Sequence, residues 1–281
     1  MKKKFIVVIV LFVMLTLTAC KPSEPEELTI VRINGSRHIS QAPIMIAEHE
    51  GYFAEFGIQL ETVDFNRTSE AIPLVVSGDL DVYAGGITTG LLNTLGMDSN
   101  FKVVADRGHI NSDMDCSFTG MIVRKDLVDN GLVNSPADFE GLKVVTNYGG
   151  PTEFFVTSYI SQAGLTLDDL EVTDIPKTSY IDAMSNKSVD AIAAIELHLT
   201  QVLKAGDSVL LTGMEDVLGD FQTSALVYGK RFIVDDPELG VRFMAAYLKG
   251  VEQYNQGKTD RNLEAISEAT AMDIEVLKDA C

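Results

Sequence analysis

The amino-acid sequence predicts an α/β fold of two lobes, each built on a mostly parallel sheet flanked by helices. β-rich runs alternate with helical patterns after residue 27, as is typical of parallel sheets covered by helices. The alternation breaks twice, at TGMIVRK (residues 119–125) and TSALVYG (residues 223–229), where a strand has no helix before it. SEAIPLVVSGDLDVYA and SYIDAMSNKSVDAIAA also echo each other, each reading helix, polar turn, aspartate and short apolar strand. Two similar lobes joined by two crossing strands account for all three observations.

The first 19 residues have the pattern of a targeting segment and are left out of the fold. Three lysines precede an apolar run at residues 5–17, which is too short to span a bilayer comfortably. The run ends in LTAC, which resembles the lipobox of bacterial lipoproteins and implies a lipid on Cys20; an ordinary secretory signal is the alternative. Residues 20–27 are then the lipidated cysteine and a polar tether.

Lobe one is expected to comprise residues 28–120 and 224–281. Its first helix accepts Pro43 in the first turn, where the missing N–H has no partner to lose, and Gly57 is suited to end it. The predicted strands are residues 28–33, 58–65, 81–84 and 102–105, and the predicted helices are residues 43–56, 69–77, 89–95, 239–254 and 261–270. MDIEVLKDAC is expected to begin one more helix.

Lobe two is expected to comprise residues 121–223 and to repeat the same alternation. Its predicted strands are residues 142–147, 170–175, 190–195 and 208–212, and its predicted helices are residues 151–163, 180–185 and 198–205.

Composition excludes several function classes. The 281 residues include 41 acidic and 22 basic ones, a formal net charge of −19, which disfavours nucleic acid and anionic lipid as partners. The chain has three cysteines and no Cys–His cluster with zinc spacing, so we expect neither a disulfide scaffold nor a metal site. Spacing alone does not establish a bridge between Cys116 and Cys281. No cofactor is expected.

Two glycine-rich turns are the candidate binding elements, because ligands of open α/β sheets bind beyond the carboxyl ends of the strands. GGITTG (residues 85–90) and NYGGPT (residues 147–152) each join a strand to a helix, and glycines permit close approach to a ligand. Pro151 and Glu153 weaken the second turn as an anion site, so a neutral or zwitterionic ligand is an alternative to an anion. Tyr148 is either a ligand-stacking residue or a packed loop aromatic, and the first turn could equally be a flexible turn with a threonine cap.

Titratable side chains form no catalytic constellation. Glu196 and His198 follow a predicted strand and could bind an ammonium or polar group, or be a cap and a surface residue. His49 is expected on a solvated helix face, and His109 with Cys116 is too loosely spaced for a catalytic pair. The hydrolase elbow, the phosphate-binding loop and the zinc-protease motif are all absent from the sequence, so no enzyme is predicted.

APIMIAEHEGYFAEFGIQLE (residues 42–61) resembles the first helix and second strand of ABC-transporter solute-binding proteins, in the branch that includes nitrate, sulfonate, taurine and thiamine-pyrimidine-precursor binders. SGDLDVYAGG, GMIVRKD, SPADFEGLKVVTN, AGLTLDDLEV and SVDAIAAIE continue the resemblance over nearly the whole mature chain. The cysteine-rich CCCFG motif of the eukaryotic pyrimidine-synthase relatives is absent from the sequence. Members of the family usually continue beyond the position of Cys281, so part of lobe one is expected to be missing.

The resemblance implies a type II periplasmic-binding fold whose lobes close on a solute and dock on a membrane permease. The positions that match its binding turns, together with Tyr148 and Glu196, give the expected ligand-binding residues: Ser40, Gln41, Gly86, Ile87, Thr88, Thr89, Tyr148, Gly149, Gly150, Thr152 and Glu196.

The leading hypothesis is therefore an extracytoplasmic, lipid-anchored and monomeric receptor that captures a sulfonate-like, taurine-like or pyrimidine-like solute for an ABC importer at the bacterial cell membrane. Nitrate is less favoured because Arg67 is the only cation expected near the cleft. A solute sensor for a membrane receptor, or an enzyme of pyrimidine or quinone precursor synthesis, remains as an alternative.

Overall fold

A computed structural model describes residues 27–35, 39–64, 70–97, 100–113 and 115–281. In chain order the strands are β1 (Thr29–Asn34), β2 (Ile58–Val63), β3 (Val82–Gly86), β4 (Lys102–Ile110), β5 (Thr119–Arg124), β6 (Lys143–Val145), β7 (Glu171–Thr173), β8 (Ala191–Ile195), β9 (Ser208–Gly213) and β10 (Phe221–Tyr228). The α-helices are α1 (Ala42–His49), α2 (Tyr52–Glu55), α3 (Ala71–Ser77), α4 (Thr89–Met97), α5 (Lys125–Asp129), α6 (Pro151–Ser161), α7 (Tyr180–Ser185), α8 (His198–Ala205), α9 (Met214–Leu218), α10 (Pro237–Tyr254), α11 (Asp260–Thr270) and α12 (Ile274–Asp279).

The strands form two five-stranded sheets with matching topology. Lobe one holds the order β2-β1-β3-β10-β4, and lobe two holds β7-β6-β8-β5-β9. β1 pairs in parallel with β2 and β3, while β10 pairs antiparallel with both β3 and β4. In lobe two, β6 pairs in parallel with β7 and β8, and β5 pairs antiparallel with β8 and β9. Each sheet is therefore mixed, with four strands running one way and one crossing strand running against them.

The crossing strands explain the two breaks in the alternation. β5 follows β4 of lobe one but pairs into the sheet of lobe two, and β10 follows β9 of lobe two but pairs into the sheet of lobe one. Each crossing strand satisfies the backbone groups of both neighbours, and it enters antiparallel because no crossover helix precedes it.

The stretch EGYFAEFG shows why α1 ends and α2 restarts. Gly51 and Gly57 have positive φ angles of 75° and 68°, which non-glycine residues rarely adopt. Between them Phe53 is buried against Phe243 of α10, with the ring centroids 5.1 Å apart, and Tyr52 donates a hydrogen bond to Gln253. The two aromatic residues thus anchor this corner to α10.

Apolar side chains cover both faces of each sheet. In lobe one, one cluster packs under α1 and α10 and the other under α3 and α4. In lobe two, α6 and α9 cover one face and α7 and α8 the other. A fifth cluster joins α11 and α12 to both α1 and Leu197 of lobe two. Helices covering both faces of each sheet confirm the α/β prediction. The strand ends, which the helices leave uncovered, face the space between the lobes.

Cys116 and Cys281 form a disulfide across 165 residues of sequence. The bond joins the segment before β5 to the residue that follows α12 by two positions. Cys116 is therefore bonded to a partner other than His109, which pairs with Asp106 at 3.4 Å.

Most predicted elements lie where the sequence placed them, and the bounds of α7 and α8 agree at both ends. β4 was predicted to end at residue 105 and continues to Ile110, and the short helices α5 and α9 were not predicted. The predicted segments at residues 58–65 and 69–77 include positions 65 and 69, which lie outside the described residues, as do Cys20 and Arg67.

Candidate functional site

A cavity of about 210 Å³ lies between the lobes and receives residues from both. Lobe one contributes the ends of β1 and β3, the segment before α1, and β4. Lobe two contributes the start of α6, the end of β8 and the turn before α7. Six of the eleven predicted binding residues line this cavity: Ser40, Gly86, Thr88, Gly150, Thr152 and Glu196.

The other five predicted residues lie around this cavity. Thr89, Tyr148 and Gly149 line a larger cavity of about 600 Å³, which we call the mouth of the cleft and which shares Thr88 and Asn147 with the first cavity. Ile87 lines a third cavity beside the same turns. Gln41 is buried behind the end of β3, where its Nε2 donates to the Ala84 carbonyl at 2.9 Å. Gln41 therefore holds the end of β3 in place behind the cavity wall.

The two glycine-rich turns meet across the cleft. The Thr89 amide donates to the Gly149 carbonyl at 3.2 Å, a hydrogen bond between the lobes. A Cβ on Gly86 would lie 3.7 Å from Cδ of Pro151, which is ordinary van der Waals contact. The lobes are thus closed on each other, and the 210 Å³ cavity lies behind this contact.

The end of β3 needs a glycine because Tyr83 folds back over it. A Cβ on Gly85 would lie 2.1 Å from the Tyr83 ring, closer than any real contact. The Tyr83 hydroxyl donates to the Gly86 carbonyl at 2.9 Å, and burial raises the pKa of this phenol to about 12. Tyr83 is therefore a neutral phenol held at the wall of the cavity.

Asn34 fixes the neighbouring end of β1. Its side-chain amide donates to the Ala84 carbonyl at 3.0 Å, and its Oδ1 accepts from the Ala84 amide at 2.6 Å. The Asn34 side chain thus makes the two hydrogen bonds to Ala84 that the backbone of a neighbouring strand would otherwise make. These two hydrogen bonds hold the end of β1 against β3 at the wall of the cavity.

Arg107 brings a cation to the cavity from β4. Its Nη1 donates to the Ser40 carbonyl at 2.6 Å and contacts Ser40 Oγ at 3.3 Å. Its Nε is shielded from solvent and has no hydrogen-bond partner among the residues that the structure describes. Among the described residues no carboxylate lies within ion-pair distance of this guanidinium. Desolvation lowers the pKa of Arg107, partly offset by Tyr83, Tyr247 and Asp106, yet an arginine stays charged at neutral pH.

Lys177 brings a second cation from lobe two. It lines the same cavity in the short turn before α7. Burial lowers the pKa of its ammonium, and the negative charge of Asp174 acts in the opposite direction. The pKa of His198 is also lowered, first by burial and then by the charge of Lys177, which favours a neutral imidazole at pH 7. Arg107 and Lys177 thus supply positive charge from opposite lobes.

The carboxylate of Glu196 already has its own donors. Oε1 accepts from the Thr200 hydroxyl at 2.7 Å and from the Cys281 amide at 2.9 Å, and Oε2 accepts from the Thr200 amide at 3.1 Å. The residue is only 4 % exposed. Glu196 lines the cavity as predicted, but as a wall residue whose negative charge is largely satisfied by the protein.

Tyr148 lies at the mouth of the cleft. Its side chain is 62 % exposed, and its hydroxyl donates to the Val172 carbonyl at 3.2 Å. Across the 600 Å³ cavity it faces apolar residues of α3, namely Ile72, Pro73 and Val76. The mouth therefore has an apolar side, formed by α3, and a polar side that includes Asn147 and Asp174.

The expectation that Arg67 was the only cation near the cleft is wrong, because Arg107 and Lys177 both line the inner cavity. Arg107 was overlooked because β4 was predicted to end before it. The segment DRGH reads as a polar loop, yet β10 pairs with it and keeps it extended to Ile110. A basic residue just beyond a short apolar strand was the available signal.

Over the described ranges, no helix is both long and apolar enough to cross a membrane. The same part of the chain contains no cluster of three or more histidine, cysteine or acidic side chains arranged to hold a metal ion.

The model of a family described as NMT1/THI5 like matches residues 38–256. A protein of Brucella abortus (strain 2308), named as a binding protein, is 24 % identical over 231 residues, covering 81 % of this chain and 67 % of its own length.

Solved structures share the fold at low sequence identity. The periplasmic aliphatic sulphonate binding protein SsuA from Escherichia coli has a TM-score of 0.71 at 14 % identity, covering 91 % of this chain and 78 % of its own. The nitrate-binding protein NrtA from Synechocystis PCC 6803 has a TM-score of 0.70 at 14 % identity, covering 90 % and 70 %. The desulfurization enzyme DSZB has a TM-score of 0.62 at 12 % identity, covering 89 % and 83 %.

Proposed function

The chain belongs to the NMT1/THI5-like family, and from this membership and the geometry of the cleft we propose that it is the solute-binding component of an ABC importer. It would capture a small anion between its lobes, with sulfonates as the leading class, and deliver it to a membrane permease. The similar solved structures include binding proteins for a sulfonate and for nitrate, which supports this role.

The observation that carries the proposal is the pair of cations at the inner cavity. The protein has a net charge of −19, so its surface repels anions in general. Arg107 and Lys177 nevertheless line a cavity of about 210 Å³, and Arg107 has no carboxylate partner among the described residues. A buried guanidinium without a carboxylate partner costs free energy, and an anionic ligand would supply that partner to Arg107.

The walls narrow the ligand class further. Glu196 is engaged by Thr200 and the Cys281 amide, so it has little capacity left for a ligand ammonium. We therefore favour a simple anion over a zwitterion such as taurine. An organic group attached to the anion would extend towards the apolar side of the mouth, at Val76.

Closure follows from the same geometry. The Thr89–Gly149 hydrogen bond forms only when the lobes meet, and the approach of Pro151 to Gly86 requires the same closure. A ligand that touches Arg107 in lobe one and Lys177 in lobe two interacts more strongly with the closed form. It would therefore shift the population towards closure, and the closed form is the one expected to dock on the permease.

The membrane anchor belongs to the proposal as well. Cys20 lies outside the described residues, and the targeting pattern implies a lipid there and an extracytoplasmic location. Incorporation of a labelled fatty acid that disappears in Cys20→Ala would support the anchor. Labelling that persists in the variant would remove it. Monomeric state is part of the same proposal and can be checked by light scattering.

A thermal-shift panel on residues 21–281 tests the capture role. The compounds are alkanesulfonates, taurine, nitrate, bicarbonate, aromatic acids and aminopyrimidines. A ligand with a dissociation constant near 1 μM, present at 1 mM, should stabilise the protein by about 4 kcal/mol. That corresponds to roughly 8–16 °C in midpoint for a chain of this size. Shifts confined to anions support the proposal, and shifts confined to pyrimidines or other neutral compounds contradict it.

An enzyme on the same fold is the second candidate, because the desulfurization enzyme DSZB is among the similar structures. The two roles differ in what becomes of the ligand. A receptor returns the bound solute unchanged after hours at saturating protein, as mass spectrometry would show. Release of sulfite or sulfate from a bound organosulfur compound would favour the enzyme.

A further inference from the structure

Residues 271–281, which we call the strap, pass from lobe one to lobe two. The helix α11 that precedes the strap is rooted in lobe one. Arg261 pairs with Glu50 at the end of α1, and Asn262 Nδ2 donates to the Gln253 carbonyl of α10 at 2.9 Å. The strap therefore starts from a fixed point on lobe one.

The far end of the strap is attached to lobe two. Asp279 pairs with Lys204 of α8, and the Cys281 amide donates to Glu196 Oε1 at 2.9 Å. Cys281 is also bonded to Cys116. Cys116 itself is held on lobe two, because the next residue, Ser117, hydrogen-bonds to Glu215 of α9.

The middle of the strap fills a cluster shared by both lobes. Leu277 and Ala280 are each 1 % exposed. They pack with Ile46 of α1 on one side and with Leu197, at the start of α8, on the other. Moving the lobes apart must either expose this cluster or carry the strap away from one of its two attachments.

The attachments to lobe two differ in how they can be released. The Lys204–Asp279 pair is half-exposed and contributes little, as is usual for surface ion pairs. The hydrogen bond at Glu196 can exchange with water once the lobes part. The disulfide alone cannot dissociate, and Cys116 is exposed to solvent, where a thiol can reach it.

We propose that the strap is a redox-dependent restraint on lobe opening, which holds the lobes near closure while the Cys116–Cys281 bond is intact and allows wider opening once it is reduced. The inference rests on the proposed function in one respect, since the restraint would slow ligand release from the cleft. An extracytoplasmic location is compatible with a persistent disulfide. Glu196 links the strap directly to the wall of the binding cavity.

Reduction requires an external dithiol as the reductant, which is itself oxidised to a disulfide. The two reductant thiols become a disulfide, the Cys116–Cys281 bond breaks, and each protein sulfur receives one hydrogen. The reaction is reversed by any disulfide oxidant of higher potential.

The first experiment measures lobe opening without any ligand. Spin labels on noncanonical side chains at Asn93 and Glu171, which are exposed positions on opposite lobes, report the distance between the lobes. Treating the protein with a dithiol, or replacing Cys116 by serine, should shift the distribution to longer distances by several ångströms. Asp279→Asn keeps the disulfide and is the matched control, expected to leave the distribution unchanged. An identical distribution before and after reduction would overturn the proposal.

The second experiment measures release of a probe, 1-pentanesulfonate, by the oxidised and the reduced protein. Reduction should raise the dissociation rate about tenfold, because the binding-competent closed form becomes less populated. If the probe binds neither form, the proposed solute class is wrong while the label distances still decide the restraint. Loss of cooperative unfolding after mild reduction would also overturn the proposal, since the bond would then support the whole fold.

Discussion

Replacing Arg107 by methionine should weaken anion binding while leaving the ligand-free protein almost as stable as before. The substitution deletes the hydrogen bond to the Ser40 carbonyl at 2.6 Å, and a hydrogen bond from a charged donor contributes about 1.5–3 kcal/mol. It also deletes a desolvated cation whose Nε has no partner in the described part of the chain, and removing that desolvation penalty raises the stability by about 1–3 kcal/mol. The two contributions nearly cancel, so the ligand-free midpoint should move by only a few degrees.

The effect on binding has no such compensation. A charge-assisted contact of about 1.5–3 kcal/mol corresponds to a dissociation constant raised roughly 10- to 150-fold. For a ligand of about 1 μM affinity at 1 mM, the stabilisation would fall from about 4 kcal/mol to about 1–2.5 kcal/mol. The thermal shift of roughly 8–16 °C would fall by at least a third.

Arg242→Met is the matched control for this assay. Arg242 likewise donates from Nη1 to a backbone carbonyl, that of Phe56 at 2.8 Å, but it lies on α10, away from the cleft. The control should lower the ligand-free midpoint and keep the full ligand-induced shift. A full shift in Arg107→Met, or an equal loss in both variants, would refute the assignment of Arg107 to the ligand.

Two further predictions concern the framework around the site. Gly85→Ala places a Cβ 2.1 Å from the Tyr83 ring and should destabilise the protein by about 1–3 kcal/mol in denaturant unfolding. Gly96→Ala, which meets nothing within 4 Å, should be neutral or slightly stabilising, and equal midpoints for the two variants would contradict the account. The hydrogen bond from Arg261 is the main cause that lowers the pKa of Glu50 below its usual 4.5. Because a depressed acid pKa stabilises the fold above the unfolded value, the stability lost in Arg261→Ala should be fully present at pH 7 and should decrease as the pH falls below 4.5 and through the lowered pKa of Glu50. A stability difference of the same size at pH 7 and well below pH 4.5 would exclude this linkage.

The sequence predicted the lobes well because their local signals agree. Pro43 at the first turn of α1 and the positive-φ Gly57 after α2 each specify an element boundary through backbone geometry alone. The crossing strands were predictable as interruptions, because a strand without a preceding helix cannot be the next parallel neighbour. Their antiparallel pairing next to the edge strand of each sheet follows from the same argument.

The two cations that line the inner cavity were harder to predict because their positions depend on tertiary pairing. Arg107 reaches the cavity only because β10 extends β4 to Ile110, and nothing local in DRGH favours a strand. Lys177 reaches it from a single short turn before α7. The two lie 70 positions apart in the sequence. Their convergence is a property of how the lobes close.

The role of Glu196 shows a second limit. Its position at the carboxyl end of β8 was predictable, and the structure places it at the cavity. The donors that occupy its carboxylate include the amide of Cys281, 85 residues away, which no sequence pattern indicates. The Cys116–Cys281 bond was undetermined for the same reason, since it joins residues 165 positions apart.

Calorimetric titration of residues 21–281 with 1-pentanesulfonate, taurine, nitrate and the neutral 1-pentanol would show whether the cleft selects anions. We expect saturable binding of one anion per chain, with the sulfonate bound more tightly than taurine and no heat from the alcohol. Equal affinity for the alcohol and the sulfonate, or binding of the alcohol alone, would contradict an anion site between Arg107 and Lys177.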